Sequence, residues 1–413
     1  MTNRGDQSYE LGPGPARRLK VVRIIARLNG GGPARQACYL HLALRRSYET
    51  TLVCGALNPG EEDMSYLLPD DAGVHRLSTM IRSLSVWGDL VTFVRIFRLL
   101  RRERPDIVHT HTAKAGALGR IAAVLARVPI RVHTYHGNVF NGYFRPAVTK
   151  LVIATERALN LITSSVIAIS PSQAEELSHQ FRVVPIRKLS VIQTGFDLSP
   201  YLRSSRDEML RARFGCNSHQ FMVVWAGRLV AIKHVELLIR IAWLAREDPS
   251  IRFVIVGEGK MRPLLEASAE GSPNLTVAEW QRDMAAVWAA SDAALLTSHN
   301  EGTPASLIEA MASGRPFVAT RVGGVVDLLA PMISKVSDKC WQAGNGFATL
   351  PEPEEMLKSL RTLQSNPQLR DEMGRSGRHF VTANHTDNRL LNQVDDLYRA
   401  LAKQFLKERL EAG

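Results

Sequence analysis

The chain has 413 residues, 45% hydrophobic and 22% charged. That composition is ordinary for a globular protein, and the length is too great for one core, so two domains are expected. The four cysteines (Cys38, Cys54, Cys216, Cys340) show no CxxC pairing, so neither a disulfide framework nor a zinc site is indicated and a reducing cytosol fits. The formal net charge is +12, and all the excess lies in residues 1–195, with 26 Lys and Arg against 14 Asp and Glu; residues 196–413 balance at 26 against 26. A basic half suits nucleic acid, anionic lipid or a phosphate-bearing substrate, beside the plainer reading of a solvated surface.

The opening MTNRGDQSYELGPGPARR, residues 1–18, has no apolar core segment, so it reads as a flexible tail and not a signal peptide. No apolar run reaches the ~18 residues of a membrane-spanning helix. Strand-like runs follow at 19–26, 50–57, 106–112, 130–137, 164–170 and 189–195, and helical stretches alternate with them. The pattern restarts at FMVVWAG (221–227) and continues through 251–257, 275–280, 293–298 and 315–320. Such repeats predict parallel sheets covered by helices. The expected class is α/β, with two Rossmann-like doubly wound domains facing across a cleft. The first spans 19–195 and the second 196–386, joined near residues 193–201. A charged helix at about 387–411 is expected to pack back on the first domain.

Ligands of doubly wound sheets sit beyond the carboxyl ends of the strands. After the first strand, Gly30, Gly31 and Gly32 open a helix, where bare backbone could meet a phosphate or sugar, or simply turn the chain. Its spacing is not GxGxxG, and Gly257-x-Gly259 is followed by Arg262 instead of Gly, which disfavours a nicotinamide-dependent oxidoreductase. His109, His111, His133 and His136 cluster on two strand ends without acidic companions at ligand spacing, so no metal is expected. Arg228 and Lys233, five apart after the strand of the second domain, can clamp a diphosphate and stabilise charge on a departing phosphate.

The stretch HNEGTPASLIEA (299–310) places Glu301 before a predicted helix and Glu309 inside it. Pro304 suits a first helical position, and Gly302 allows close approach. The N–H groups around Thr303 to Leu307 would favour an anion. Glu309 falls roughly 8 Å along the axis at ~1.5 Å per residue. Two acids flanking an anion site match a hexose, a diphosphate and a ribose. Two exposed glutamates on a capped helix are the alternative.

These segments resemble the retaining family 4 glycosyltransferases, which have the two-domain GT-B fold. The resemblance runs from about residue 20 to 400. It rests on NEGTPASLIEAMASGRPFVAT with its Glu-x7-Glu spacing, and on GRLVAIK, HTYHG, VIQTGFD, VGEGKMRPLLE and EWQRDM before ASDAALLTS. It implies that Arg228 and Lys233 hold the donor diphosphate, Glu309 the ribose and Glu301 the donor hexose. Backbone at Gly302, Thr303 and Leu307 would assist, Trp280 would lie beside the base, and His136 would stand at the reacting sugar. The implied activity is retaining transfer of a hexosyl or N-acetylhexosaminyl group from a nucleotide-sugar, UDP-linked in preference to GDP-linked, to a glycan or lipid-linked acceptor. No cofactor or metal is implied. The sequence departs from the family at His234 and Glu279, where Gly is usual, and at Thr303-Pro304 in place of Phe-Gly.

In VWGDLVTFVRIFRLLRRER (86–104), Trp87, Leu90, Val94 and Phe97 form one stripe and Arg95, Arg98 and Arg102 another face. A solvated basic face over a core stripe competes here with docking on an anionic bilayer. Phe140, Tyr143 and Phe144 follow His136 and could touch a lipid-linked acceptor or the other domain. Together these features suggest a cytoplasmic enzyme, peripheral on the membrane, that builds a cell-surface polysaccharide or glycolipid. A silent partner subunit and a GT-B sugar-nucleotide epimerase are the competing readings. Nucleic-acid binding lacks a stacking or helix-turn-helix motif.

Overall fold

The computed structural model describes residues 17–58, 61, 63–81, 83, 85–137, 140, 145–279 and 281–411, with 406–411 by backbone alone. The expected tail up to residue 16, Tyr143, Phe144 and Trp280 lie outside the described residues. Packing divides the chain into two compact units: Met1–Thr134 with Ala158–Ile167 and Leu391–Gly413, and Tyr135–Arg157 with Ala168–Leu390.

The first sheet contains β1 (Lys20–Ile25), β2 (Glu49–Gly55), β3 (Val74–Leu77), β4 (Ile107–His111), β5 (Ile130–Tyr135), β6 (Ser165–Ala168) and β7 (Leu189–Val191) in the order β3-β2-β1-β4-β5-β6-β7. The second holds β8 (Phe221–Ala226), β9 (Ile251–Val256), β10 (Leu275–Ala278), β11 (Ala293–Leu296), β12 (Phe317–Thr320), β13 (Ser334–Ser337), β14 (Cys340–Ala343) and β15 (Gly346–Thr349), ordered β10-β9-β8-β11-β12-β15-β14-β13. Its β8 to β12 and β15 pairings are parallel, and β13-β14-β15 form an antiparallel edge. Two parallel-dominated doubly wound sheets are the architecture expected.

The continuous apolar runs of the second sheet arise because both faces are covered. Along β8, Met222, Val224 and Ala226 enter one core, while Phe221, Val223 and Trp225 enter the other. Strand β9 divides in the same way, with Val254 and Val256 on one side and Phe253 and Ile255 on the other.

In the first unit the final helix, Asp387–Glu411, completes the packing. The fully buried Arg23 of β1 donates to Tyr398 Oη at 3.1 Å, and Tyr48 Oη donates to Asp395 Oδ1 at 2.5 Å. His109 bridges Tyr398 Oη at 2.6 Å and Thr134 Oγ1 at 2.7 Å, and His133 meets Thr110 Oγ1 at 2.8 Å. These two strand histidines are therefore held in core hydrogen bonds.

The helix Val86–Glu103 does not present the stripe read from its sequence. Thr92, Ile96 and Leu100 are its buried line, and Phe93, Phe97 and Leu99 pack partly beside it. Trp87 and Leu90 are instead exposed, at 78% and 49%, on the side that carries Arg95, Arg98 and Arg102. The buried line follows the i, i+4, i+8 row centred on Ile96, which turns Trp87 outward. Phe140 is buried against Phe181, with ring centroids 5.1 Å apart, so it is core and not a surface contact.

Two buried histidines make stability depend on pH. His41 lies beside the Ala72 carbonyl at 2.5 Å and His385 beside the Thr194 carbonyl at 2.9 Å. Burial lowers each pKa from 6.5 to about 4. Between those values the unfolded chain binds more protons, so stability present above pH 6.5 is lost as pH falls toward 4. At about 1.4 kcal/mol per unit, each ring accounts for about 3 kcal/mol. Urea midpoints should fall steadily from pH 7 to 4.5, and His385→Gln should flatten the slope; a level wild-type profile would contradict the assignment.

Candidate active site

In the second sheet the chain leaves β8 toward β9 and leaves β11 toward β12, although β8 and β11 are neighbours. The two connections diverge, and a crevice opens beyond the carboxyl ends of those strands. The turn Ala231–Lys233 follows β8, and Glu301 follows β11. Lys233 Nζ donates to Glu301 Oε1 at 2.5 Å, and Ser298 Oγ donates to the same oxygen at 2.5 Å. Their side chains are only 17% and 9% exposed, so the pair is charge-assisted and little screened.

The Lys233 backbone is fixed from below. Trp225 Nε1, fully buried, donates to Thr297 Oγ1 at 3.1 Å, and that hydroxyl donates to the Lys233 carbonyl at 2.9 Å. His234 adopts φ 50°, ψ 57°, the left-handed conformation. A Cβ is disfavoured in that region, and Gly would adopt it without that cost.

The helix Ala305–Ala312 starts one residue later than expected. Pro304 is its N-cap, at φ −71°, ψ 108°, and no side chain caps this end. The Leu307 N–H donates to the Pro304 carbonyl at 3.2 Å, and the Leu307 side chain is buried in the core. That N–H is thus engaged within the helix start. Thr303 Oγ1 donates to the Ile169 carbonyl at 3.4 Å. Glu309 is buried, and its Oε2 accepts from Trp288 Nε1 at 3.3 Å.

Gly302 is required by contact. A Cβ there would lie 2.6 Å from the His136 carbonyl oxygen, and one on Gly324 would lie 1.6 Å from the Gly302 carbonyl oxygen. His136 follows β5 and is half-buried; protein packed about its ring lowers its pKa from 6.5 to about 4, so it is neutral at pH 7. The structure thus brings His136, Gly302, Thr303, Glu301 and Lys233 into one contiguous set. Arg228 is exposed, and among the described residues its guanidinium has no hydrogen bond or ion pair. Gly30, Gly31 and Gly32 belong to the other unit, after β1 and at the start of the helix Gly32–Ala43; Gly31 has φ 149°.

Several members of this site escape a reading of the sequence. Ser298, three residues before Glu301, is one. Another is the Gly323–Gly324 pair: the Gly324 N–H donates to the Glu301 carbonyl at 3.1 Å, and a Cβ on Gly323 would lie 2.1 Å from the same oxygen. In the same turn as the two glycines, Asp327 accepts from the N–H of Ser172 at 3.2 Å and from its hydroxyl. The doubled glycine after RPFVATRV was the available signal; nothing in the sequence pairs Asp327 with Ser172.

Comparison with known proteins gives the family and the fold. The family described as Glycosyltransferase Family 4 matches residues 30–200, and Glycosyl transferases group 1 matches 220–366. The UDP-Gal:alpha-D-GlcNAc-diphosphoundecaprenol alpha-1,3-galactosyltransferase of Escherichia coli is 30% identical over 285 residues, 67% of this chain and 72% of that protein. The GDP-mannose-dependent alpha-mannosyltransferase of Mycobacterium tuberculosis is 31% identical over 293 residues, 70% and 75% of the two chains. Among solved structures, Anabaena Alr3699/HepE in complex with UDP and glucose has a TM-score of 0.76 at 20% identity, covering 93% of this chain and 100% of that one. WaaG, a glycosyltransferase involved in lipopolysaccharide biosynthesis, has a TM-score of 0.68 at 16% identity, covering 92% and 99%. The structural likenesses carry the fold, and the sequence matches carry the family: the chain belongs to glycosyltransferase family 4 and has the GT-B fold.

Proposed function

We propose that the protein transfers a sugar, with retention, from a UDP-linked donor to a glycan or lipid-linked acceptor. The observation that carries this reading is the Lys233–Glu301 pair at the strand crossover, with Ser298 on the same carboxylate oxygen. A cation and a carboxylate side by side suit a ligand with adjacent phosphate and hydroxyl groups. Lys233 and the unpaired guanidinium of Arg228 are assigned the diphosphate, as point charge and as fork. Glu301 is assigned the donor hexose, Glu309 the ribose, and Trp280 the base. The uncapped start of the Ala305–Ala312 helix favours the same anion.

In this reading the acceptor hydroxyl oxygen attacks the anomeric carbon on the face from which the nucleoside diphosphate departs. The bond from that carbon to the phosphate oxygen breaks, and the hydroxyl proton passes to the departing phosphate. Lys233 and Arg228 offset the charge that develops, the part a divalent ion would otherwise take. Neutral His136 serves as a hydrogen-bonding group near the reacting sugar. The UDP-linked preference is supported by the name of the Escherichia coli relative and by the UDP in the Anabaena structure. That relative's name also includes a diphosphoundecaprenol acceptor, which supports a lipid-linked one here.

A membrane role is supported by the helix Val86–Glu103. Its outward side carries Val86, Trp87, Leu90 and Val91 near one end and Arg95, Arg98, Arg101 and Arg102 toward the other. Apolar groups that can enter an interface and cations that can meet anionic headgroups lie on one surface. Among the described residues no helix is long and apolar enough to cross a membrane. A cytoplasmic position, peripheral on the membrane, fits these features.

Thermal-shift measurements with UDP, GDP and their sugar conjugates should show a rise for a UDP-linked ligand, because binding to the folded state raises apparent stability. Lys233→Ala should abolish the rise. Silence across the panel would favour a silent partner subunit, and nucleotide release without transfer would favour an epimerase. Glu309→Ala should weaken nucleotide-sugar binding about tenfold, the loss expected of a charged hydrogen bond; equal affinity would remove the ribose assignment. Reversing Arg95, Arg98 and Arg102 to Glu should release the protein from vesicles containing anionic lipid; a wild-type protein that never sediments with them contradicts the membrane role.

A further inference from the structure

Beside Lys233 and Glu301, two imidazoles lie face to face. The rings of His234 and His299 have centroids 3.8 Å apart and an interplanar angle of 20°. One residue directly follows Lys233 and the other precedes Glu301 by two. We propose that this stack is a positioning pair that holds the Lys233 turn and the Glu301 loop in register, so that cation and carboxylate present together to the donor. This rests on the donor-site reading above.

Three features of the molecule carry the inference. His234 sits in a left-handed conformation that Gly or Asn adopts more readily, so retaining a bulky ring there has a backbone cost that its stacking contact offsets. The stack also closes a short ladder between two segments far apart in sequence. The His299 N–H donates to the Ile232 carbonyl at 2.9 Å, and Thr297 Oγ1 donates to the Lys233 carbonyl at 2.9 Å. Residues 232, 233 and 234 are thus each tied to residue 297 or 299. From this fixed turn Lys233 Nζ reaches Glu301 Oε1 at 2.5 Å.

His234 acts through geometry and not through charge. Desolvation lowers the pKa of His234, and His299 and Arg240 add to the effect while Glu236 opposes it. His234 therefore stays neutral at pH 7 and adds no cation to the phosphate site. What it contributes is a flat contact that another aromatic ring can reproduce.

The test compares His299→Ala, His299→Phe and His234→Gly with wild type and Lys233→Ala. Affinity for UDP, UDP-glucose, UDP-galactose and GDP-mannose is measured by calorimetry at pH 7.5, with thermal midpoints alongside. His299→Ala and His234→Gly should weaken the nucleotide-sugar that binds wild type by about five- to tenfold, the equivalent of one aromatic contact. His299→Phe should bind within about twofold of wild type, because it keeps a ring in the stack. His234→Gly should keep or raise its thermal midpoint, since Gly relieves the left-handed backbone, which separates lost positioning from lost folding. Binding by His299→Ala equal to wild type, while Lys233→Ala loses it, overturns the positioning pair and leaves the donor site standing. Equal losses in His299→Ala and His299→Phe overturn stacking as its cause. Failure of wild type to bind any of the four compounds overturns the donor site and the pair together.

Discussion

Around Gly302 three stretches of backbone meet with no space for a side chain between them. The His136 carbonyl stands on one side and Gly324 on the other, and the Gly324 N–H ties back to the carbonyl of Glu301. Close packing of this kind resists small displacement, because any shift drives main-chain atoms into one another. Glu301 is attached to that fixed point. Its carboxylate therefore has a defined direction, and Lys233 and Ser298 are met there. The remaining assignments inherit their positions from this contact: Thr303 turns to Ile169, Pro304 starts its helix, and Glu309 follows one buried helical face further on.

Much of this was legible from residue order. The strands of the second sheet are apolar without interruption because both faces are covered, so FMVVWA and IRFVIV stand out. The edge strand SKVS is polar and exposed at Ser334, Lys335 and Val336, and it passes as loop. Strand β3, VHRL, is four residues long with none fully buried, too little pattern to separate from its surroundings. The helices Pro353–Ser365 and Pro367–Asn384 carry the i, i+4 signal and pack on the second unit, yet no family motif points at them.

Local chemistry in the site was likewise legible, and its pairings were not. Glu301 and Glu309 declare themselves by spacing along one helix start. The bond between Lys233 and Glu301 spans 68 positions, and only adjacent strands β8 and β11 bring its ends together. Histidines show the same limit from the other side. His109, His133 and His136 look alike in the sequence, but the first two are bonded to hydroxyls in a sheet interior and the third lies beside Gly302. Strand register and depth, which residue types do not encode, decide among them.

The polar contacts of the last helix set an order of events. Arg23 and Tyr398 are 375 residues apart, so the buried guanidinium of β1 meets its phenol only after the whole of the intervening chain has been made. A ribosome releases the first unit's opening strand long before the segment that completes its core. Closing so long a loop is entropically slow, and until it closes the first unit exposes a charged interior edge. A nascent chain of this protein can therefore complete its second unit, most of which is the run from 168 to 390, before its first. Fragments that end short of Asp395 would carry an opening unit without its closing helix, and chaperones that recognise exposed strand surface have the longest access to the part of the molecule synthesised earliest.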